Sequence, residues 1–134
     1  MAEAPLALLA QTPEDLPALS ALLQDATQRT PDIALDAKAR RLVLLTNRYR
    51  WESNTPSRTR SALRIETASR VQHQNWPKSP DAVLNLLSLS WADPHLTLTF
   101  SDNITLRATC ETLDLILEDL GQPWLTTRLP KHAL

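Results

Sequence analysis

Arg48, Arg50, Arg64 and Arg70 are the side chains of this sequence best suited to hold an anion. A guanidinium presents five N–H donors in a planar fork that matches carboxylate and phosphate, and it stays charged at any working pH. Arg48-Tyr49-Arg50-Trp51 also interleaves cations with rings, the combination that holds single-stranded nucleic acid by phosphate pairing and base stacking. Trp76 lies in the proline-punctuated stretch Trp76-Pro77-Lys78-Ser79-Pro80. It is the tryptophan expected to be exposed, and joins the arginines as a candidate contact residue. Other reactive types offer less. His73, His95 and His132 stand apart from any second ligand at metal-like spacing, so no metal site is expected. Cys110 shares the apolar parity of Leu106 and Ala108 and reads as a buried thiol. No cleft is indicated for acid–base work by Glu111, Asp114 and Glu118.

The arginines sit in an uneven field. Lys38 to Arg70 holds nine bases against two acids, Glu52 and Glu66, a net of +7 in a chain of formal net charge −1. The residues before it sum to −5 and those after it to −3. Charge so segregated is a surface property, pointing to partners rather than to fold. Partners that fit are a second copy of the chain, as a homodimer, or an acidic protein surface. Nucleic acid is disfavoured, because the sequence pI is about 6.3 and non-specific affinity rests on phosphate neutralisation.

Composition removes several function classes. The chain has one glycine, Gly121, against an average usage of about 7%. Glycine-built phosphate loops and the Gly-x-Ser-x-Gly nucleophile elbow are therefore excluded. No catalytic constellation remains and no cofactor is called for. The 134 residues suit a single domain, 1–134. A lone cysteine, no signal-peptide pattern and no long apolar run give the expectation of a soluble cytoplasmic protein without membrane contact.

The elements that must position these residues follow from periodicity. Leu6 to Ala10 reads as a strand. Thr12-Pro13-Glu14-Asp15 has the grammar of a helix start, and Leu16, Leu19, Leu22, Leu23 and Ala26 recur at helical spacing, predicting a helix that ends near Arg29. The period then changes to two. Ile33 and Leu35 alternate with polar residues, a turn spans Ala37 to Arg40, and a strand runs from Leu42 to Trp51. Its second half places Arg48 and Arg50 on one face and Asn47, Tyr49 and Trp51 on the other, the latter expected in the core. Glu52 to Arg60 reads as a loop and Ser61 to Gln72 as the returning strand. A further strand from Val83 to Trp91 precedes a hairpin in which residue 98 faces 106 and 100 faces 104. That register needs a Ser101-Asp102-Asn103 loop with Asn103 left-handed. Leu113, Ile116, Leu117 and Leu120 predict a C-terminal helix over Glu111 to Leu120, with Gly121 as its left-handed cap and the three acids as its outer stripe. Leu125 to Leu134 reads as a tail.

The fold class is thus α+β: a mostly antiparallel, curved sheet or partly open barrel of about seven strands, with an N-terminal and a C-terminal helix. The pleckstrin-homology-like architecture is the nearest analogy, and it says nothing of function. The role of the arginines turns on strand register. If residue 50 lies opposite 64, Arg48 meets Glu66 as an ordinary ion pair. If 48 lies opposite 64, two arginines face each other and an anion or acidic surface must intervene.

Four segments carry a resemblance: Asp15-Leu16…Leu19-Ser20…Leu23-Gln24-Asp25-Ala26, Asn47-Arg48-Tyr49-Arg50-Trp51-Glu52, Val83-Leu84-Asn85-Leu86-Leu87, and Leu117-Glu118-Asp119-Leu120-Gly121-Gln122-Pro123-Trp124. In this order they resemble a family of small uncharacterised alphaproteobacterial proteins, a domain of unknown function. Ser101-Asp102-Asn103 stands where similar proteins tend to have glycines. The resemblance implies a bacterial cytoplasmic setting and supplies no catalytic residue. The leading expectation is a non-enzymatic, self-associating interaction module using the basic hairpin 38–70. Weak nucleic-acid or polyanion binding, or an enzyme that orients a small anion, are the alternatives.

Overall fold

In the computed structural model, which describes residues 5–130, the chain begins with strand β1 (Ala7–Ala10). The Asp15 carboxylate accepts the backbone N–H groups of Gln11 and Thr12 at 3.0 and 3.1 Å. After one 3₁₀ turn, α1 (Leu16–Leu23) follows, with Pro17 in its first turn, where no intrahelical donor is needed. Leu16, Leu19 and Leu23 are its buried stripe. α1 ends earlier than its leucine spacing predicts. Asp25 takes a left-handed conformation (φ 63°), and Ala26–Arg29 becomes strand β2.

Nine strands follow: β3 (Ile33–Asp36), β4 (Arg41–Tyr49), β5 (Ser57–Ile65), β6 (Ala68–Gln74), β7 (Val83–Ala92), β8 (His95–Phe100), β9 (Thr105–Cys110), β10 (Leu115–Asp119) and β11 (Trp124–Leu125). All belong to one 11-stranded sheet of order β1-β10-β5-β4-β2-β7-β8-β9-β6, with β3 added to β4 and β11 to β5, and every pairing is antiparallel. Four strands are additional to those of the sequence reading. β2 and β10 lie in segments predicted helical, β6 is split from β5 by a corner at Glu66-Thr67, and β11 lies in the predicted tail. His132 and the end of that tail fall outside the described residues.

The missing C-terminal helix is the largest correction. Leu113, Leu115 and Leu117 are buried, a period of two, whereas Leu120 of the predicted helical stripe is 51% exposed. The segment enters the sheet between β1 and β5, pairing Leu117 with both Leu8 and Leu63. A slot bounded by two strands satisfies its backbone only if the occupant is also a strand. Gly121 is not left-handed; its carbonyl accepts the Thr59 hydroxyl at 3.3 Å. Without a closing helix, the pleckstrin-homology-like analogy loses its defining element.

The β8–β9 hairpin follows its predicted register. Leu98 lies opposite Leu106, Phe100 N–H donates to Ile104 C=O at 2.9 Å, and Asn103 is left-handed (φ 59°) together with Asp102 (φ 64°).

Connectivity forces the sheet to curl. β5 and β6 are joined by two residues, yet β4, β2, β7, β8 and β9 stand between them in the sheet. Laid flat, six steps of about 4.8 Å would separate them by roughly 29 Å, and that link spans about 10 Å. At the corner the Ala68 N–H donates to the Arg40 carbonyl and the Glu66 N–H to the Asp114 carbonyl, both at 2.9 Å, extending the pairing of β5 with its two neighbours. Thr67 stands at the corner with φ 60°, a strained conformation for a β-branched residue. Its hydroxyl donates to Thr112 C=O and accepts Thr112 N–H, at 3.0 and 3.1 Å, holding the corner against the start of β10. No helix of the described residues is long and apolar enough to cross a membrane.

Candidate functional site

The concave face of the sheet changes character along a single line. Inward positions of β4 read Leu42, Leu44, then Thr46 and Arg48; those of β5 read Ile65, Leu63, then Ser61, Thr59 and Ser57; those of β10 read Leu115, Leu117, then Asp119. Strand pairing aligns the changeover, placing Leu44 and Leu117 on Leu63, and Thr46 and Asp119 on Ser61. One pole of the interior is hydrocarbon and the other is built of hydroxyls around a guanidinium.

Arg48 occupies that polar pole and is fully buried. Its Nε and Nη2 donate to the two carboxylate oxygens of Asp119 at 3.0 and 3.1 Å. Its Nη1 and Nη2 donate to Glu52 at 2.9 and 2.6 Å, and Nη1 also reaches the Tyr49 carbonyl at 3.4 Å. All five donors are thereby used. Asp119 accepts in addition the Ser61 hydroxyl at 2.7 Å and the Leu6 N–H at 3.0 Å. Burial alone would raise the Asp119 pKa, but the hydrogen bonds from Arg48, Ser61 and Leu6 outweigh it and hold the carboxyl below its usual range. Arg48 hydrogen bonding likewise holds Glu52 down. The same two carboxylates, opposing burial, raise the Arg48 pKa. A buried pair is stabilising only when its geometry and remaining hydrogen bonds are complete, and here they are.

The rest of the Asn47–Glu52 motif is also spent internally. Arg50 is buried, its guanidinium donating to Ser57 Oγ at 3.0 Å. The Trp51 indole N–H donates to the Gln24 carbonyl at 2.9 Å, closing the end of α1. Tyr49 packs edge-to-face on Trp51 (centroids 4.7 Å apart) and lies under Arg58. Arg58 donates to the Asp25 and Asn47 carbonyls at 3.2 and 2.9 Å. Asp25 Oδ1 accepts the Asn85 side-chain N–H at 3.3 Å. The four segments that carry the family resemblance thus touch one another at this pole.

Both registers weighed for the arginines are replaced. Arg48 lies opposite Thr59 and Tyr49 opposite Arg58, because β5 begins at Ser57, inside the segment predicted as loop. Arg48 faces the core, not solvent. Glu66 pairs with Arg41 at 2.6 Å instead. Arg64 lies opposite Val43 on the convex face, about 16 Å along β5 from the level of Arg48, and Arg70 is exposed on β6. The four arginines do not converge. Trp76, expected exposed, is half-buried, stacked on His73 (5.0 Å) and edge-on to Phe100 (6.2 Å).

Part of the segregated charge is settled within the fold. Arg40 pairs with Glu111, Arg48 with Asp119 and Arg60 with Asp32, at 3.3, 3.0 and 3.3 Å. Acids of the flanking segments thus neutralise bases of the hairpin. Glu111, Asp114 and Glu118 form no stripe, since no helix aligns them. Cys110 is buried, which pushes its thiol up to about 11. It is expected to resist iodoacetamide at neutral pH in the folded protein and to react after denaturation, as mass spectrometry would show. Among the described residues, no group of three or more His, Cys, Asp or Glu is placed to hold a metal.

What remains outward is the convex surface of β5 and its neighbours. Arg58, Arg60 and Arg64 point there, with Glu118 on β10, while β11 lays Trp124 beside Arg58. Exposed Trp124 lies beside Arg58 and exposed Leu120 beside Arg60 on this face, whereas Leu125, opposite the inward Ser57, has the other parity. Sequence reading missed Leu120 here because it placed that residue on the buried stripe of a helix.

No curated protein and no solved structure matches the chain. A family profile, described as protein of unknown function (DUF2948), matches residues 6–132. The chain belongs to that family.

Proposed function

We propose that the protein is a non-enzymatic interaction module that self-associates through the convex surface of β5, β10 and β11. The observation behind this reading is the exposed pair Leu120 and Trp124 beside the arginine-bearing strand β5. Tryptophan and arginine with apolar neighbours are the composition of interface hot spots. The same surface carries both signs, Arg64 on β5 and Glu118 on β10, and neither makes a side-chain ion pair within the described residues. A two-fold axis would set Arg64 of one copy against Glu118 of the other, and the reverse, as an isologous contact requires. Polyanion binding would draw on free cations, and Arg40, Arg41, Arg48 and Arg60 are already paired with carboxylates.

Size-exclusion chromatography with light scattering tests the reading. A dimer is expected for the native chain. Trp124→Asp and Arg64→Glu should each give monomer, and Arg64→Glu combined with Glu118→Arg should restore the dimer. A native chain that stays monomeric at all concentrations, in low and high salt, would refute self-association.

A further inference from the structure

The geometry points to a second contact site, independent of the convex surface of β5: the open edge of β6, which takes an extended acidic segment of another protein as a further antiparallel strand. β6 ends the sheet, pairing with β9 alone among the described residues. Its first edge-facing donor is closed off, the Ala68 N–H being held by the Arg40 carbonyl at 2.9 Å. Beyond the irregularity between Ala68 and Arg70 no such cover follows. His73, on the concave side opposite the buried Leu106, is itself exposed.

Hydrogen bonds of the neighbouring ladder identify the open backbone groups. Phe100 N–H donates to Ile104 C=O and Cys110 N–H to Pro94 C=O, at 2.9 and 2.8 Å. Alternate residues of an antiparallel strand direct their N–H and C=O to the same edge, so Leu106 and Ala108 also turn theirs to β8. Thr105, Arg107 and Thr109 therefore turn theirs to β6, where they face Gln74, Gln72 and Arg70. The N–H and C=O of Val71 and His73 are left pointing into the open edge, and among the described residues no other group bonds to them. Such a row is the template for strand addition, in which the main chain supplies affinity and the side chains supply specificity.

The side chains on the two faces choose the occupant. Residues paired opposite Val71 and His73 share their concave side, where Val71 packs on the core and Trp76 stacks on His73. Small apolar side chains suit that side. Residues opposite Arg70, Gln72 and Gln74 share the other side. Arg70 is exposed there, and Arg107 donates to Gln72 Oε1 at 2.7 Å beside a hollow of about 370 Å³ lined also by Gln74, Thr97 and Thr105. Neither arginine has a carboxylate partner among the described residues, and no acid lines the hollow. Acidic residues alternating with apolar ones are the complement.

The probe is the peptide acetyl-Glu-Val-Glu-Val-Glu-amide, titrated into the full chain and followed by amide NMR. Its valines should pair with Val71 and His73 and shift those amide resonances. N-methylation of both valines should abolish binding, because their N–H groups donate to β6, whereas N-methylation of the central glutamate, whose N–H faces away, should leave it intact. Lysine in place of each glutamate, or Arg70→Glu plus Arg107→Glu in the protein, should weaken binding roughly tenfold at low salt. No shift at Val71 and His73, equal binding of the valine-methylated peptide, or equal binding of the lysine peptide would overturn the proposal. Without peptide, the Val71 and His73 amides should exchange rapidly with solvent; protection there would show the edge already covered, by a second copy, and would overturn it as well. Monomeric Trp124→Asp should bind the same peptide, which separates this site from self-association.

Discussion

Arg48→Ala is expected to lower the unfolding free energy by about 3–5 kcal/mol, the range for removing one partner of a buried ion pair. The size follows from what is left behind. Asp119 is almost fully buried and would keep its charge among Ser61, the Leu6 N–H and the hydrocarbon of the adjoining core. Glu52, at the solvent-facing rim, can turn outward and contributes less. Arg48→Lys keeps the charge but not the five-donor fork, and should recover only part of the loss. Urea titration of the three proteins measures this.

The effect has a definite pH sign. Asp119 and Glu52 both have folded-state pKa values below the ordinary ones. Their contribution is therefore fully present above the usual carboxylate range and is lost as pH falls through the depressed folded values. The stability gap between the native chain and Arg48→Ala should be widest near neutrality and narrow in acid. A gap that widens on acidification would show that the guanidinium is held by something other than these carboxylates.

Leu117→Ala and Leu120→Ala form the second contrast. Leu117 is fully buried, and its truncation should cost about 2–5 kcal/mol. Leu120 is half exposed, and its truncation should change monomer stability by less than about 0.5 kcal/mol. A helix over this segment would bury both, so equal costs in thermal or urea unfolding would contradict strand β10.

The difference between those two leucines also shows where the sequence was readable. The β8–β9 hairpin could be placed because Leu96, Leu98, Phe100, Ile104, Leu106 and Ala108 alternate cleanly and only one loop length keeps them on one face. Residues 113–120 could not, because their leucines satisfy a period of 3.6 as well as a period of two, and only the slot between β1 and β5 decides. The start of β5 was hidden for another reason. Ser57, Thr59 and Ser61 alternate with Arg58 and Arg60, which is polar on both faces and reads as loop. Their inward direction makes sense only once a buried guanidinium is known to need hydroxyl neighbours. The candidate site failed at the same point: an arginine alternating with aromatic residues was assigned to the solvent face, when the aromatic and the arginine side chains are both packed.

The sheet order also dictates when the protein can fold during synthesis. β1 is the first strand made, yet its neighbour is β10; β6 pairs only with β9; and β10 supplies the Asp119 that neutralises Arg48. A nascent chain that has reached Cys110 therefore holds an unpaired first strand and a guanidinium without its buried carboxylate. Such late, sequence-distant pairing delays collapse to a native state and prolongs exposure of strand edges. Truncated products should consequently be cleared by proteolysis rather than persist as partly folded copies.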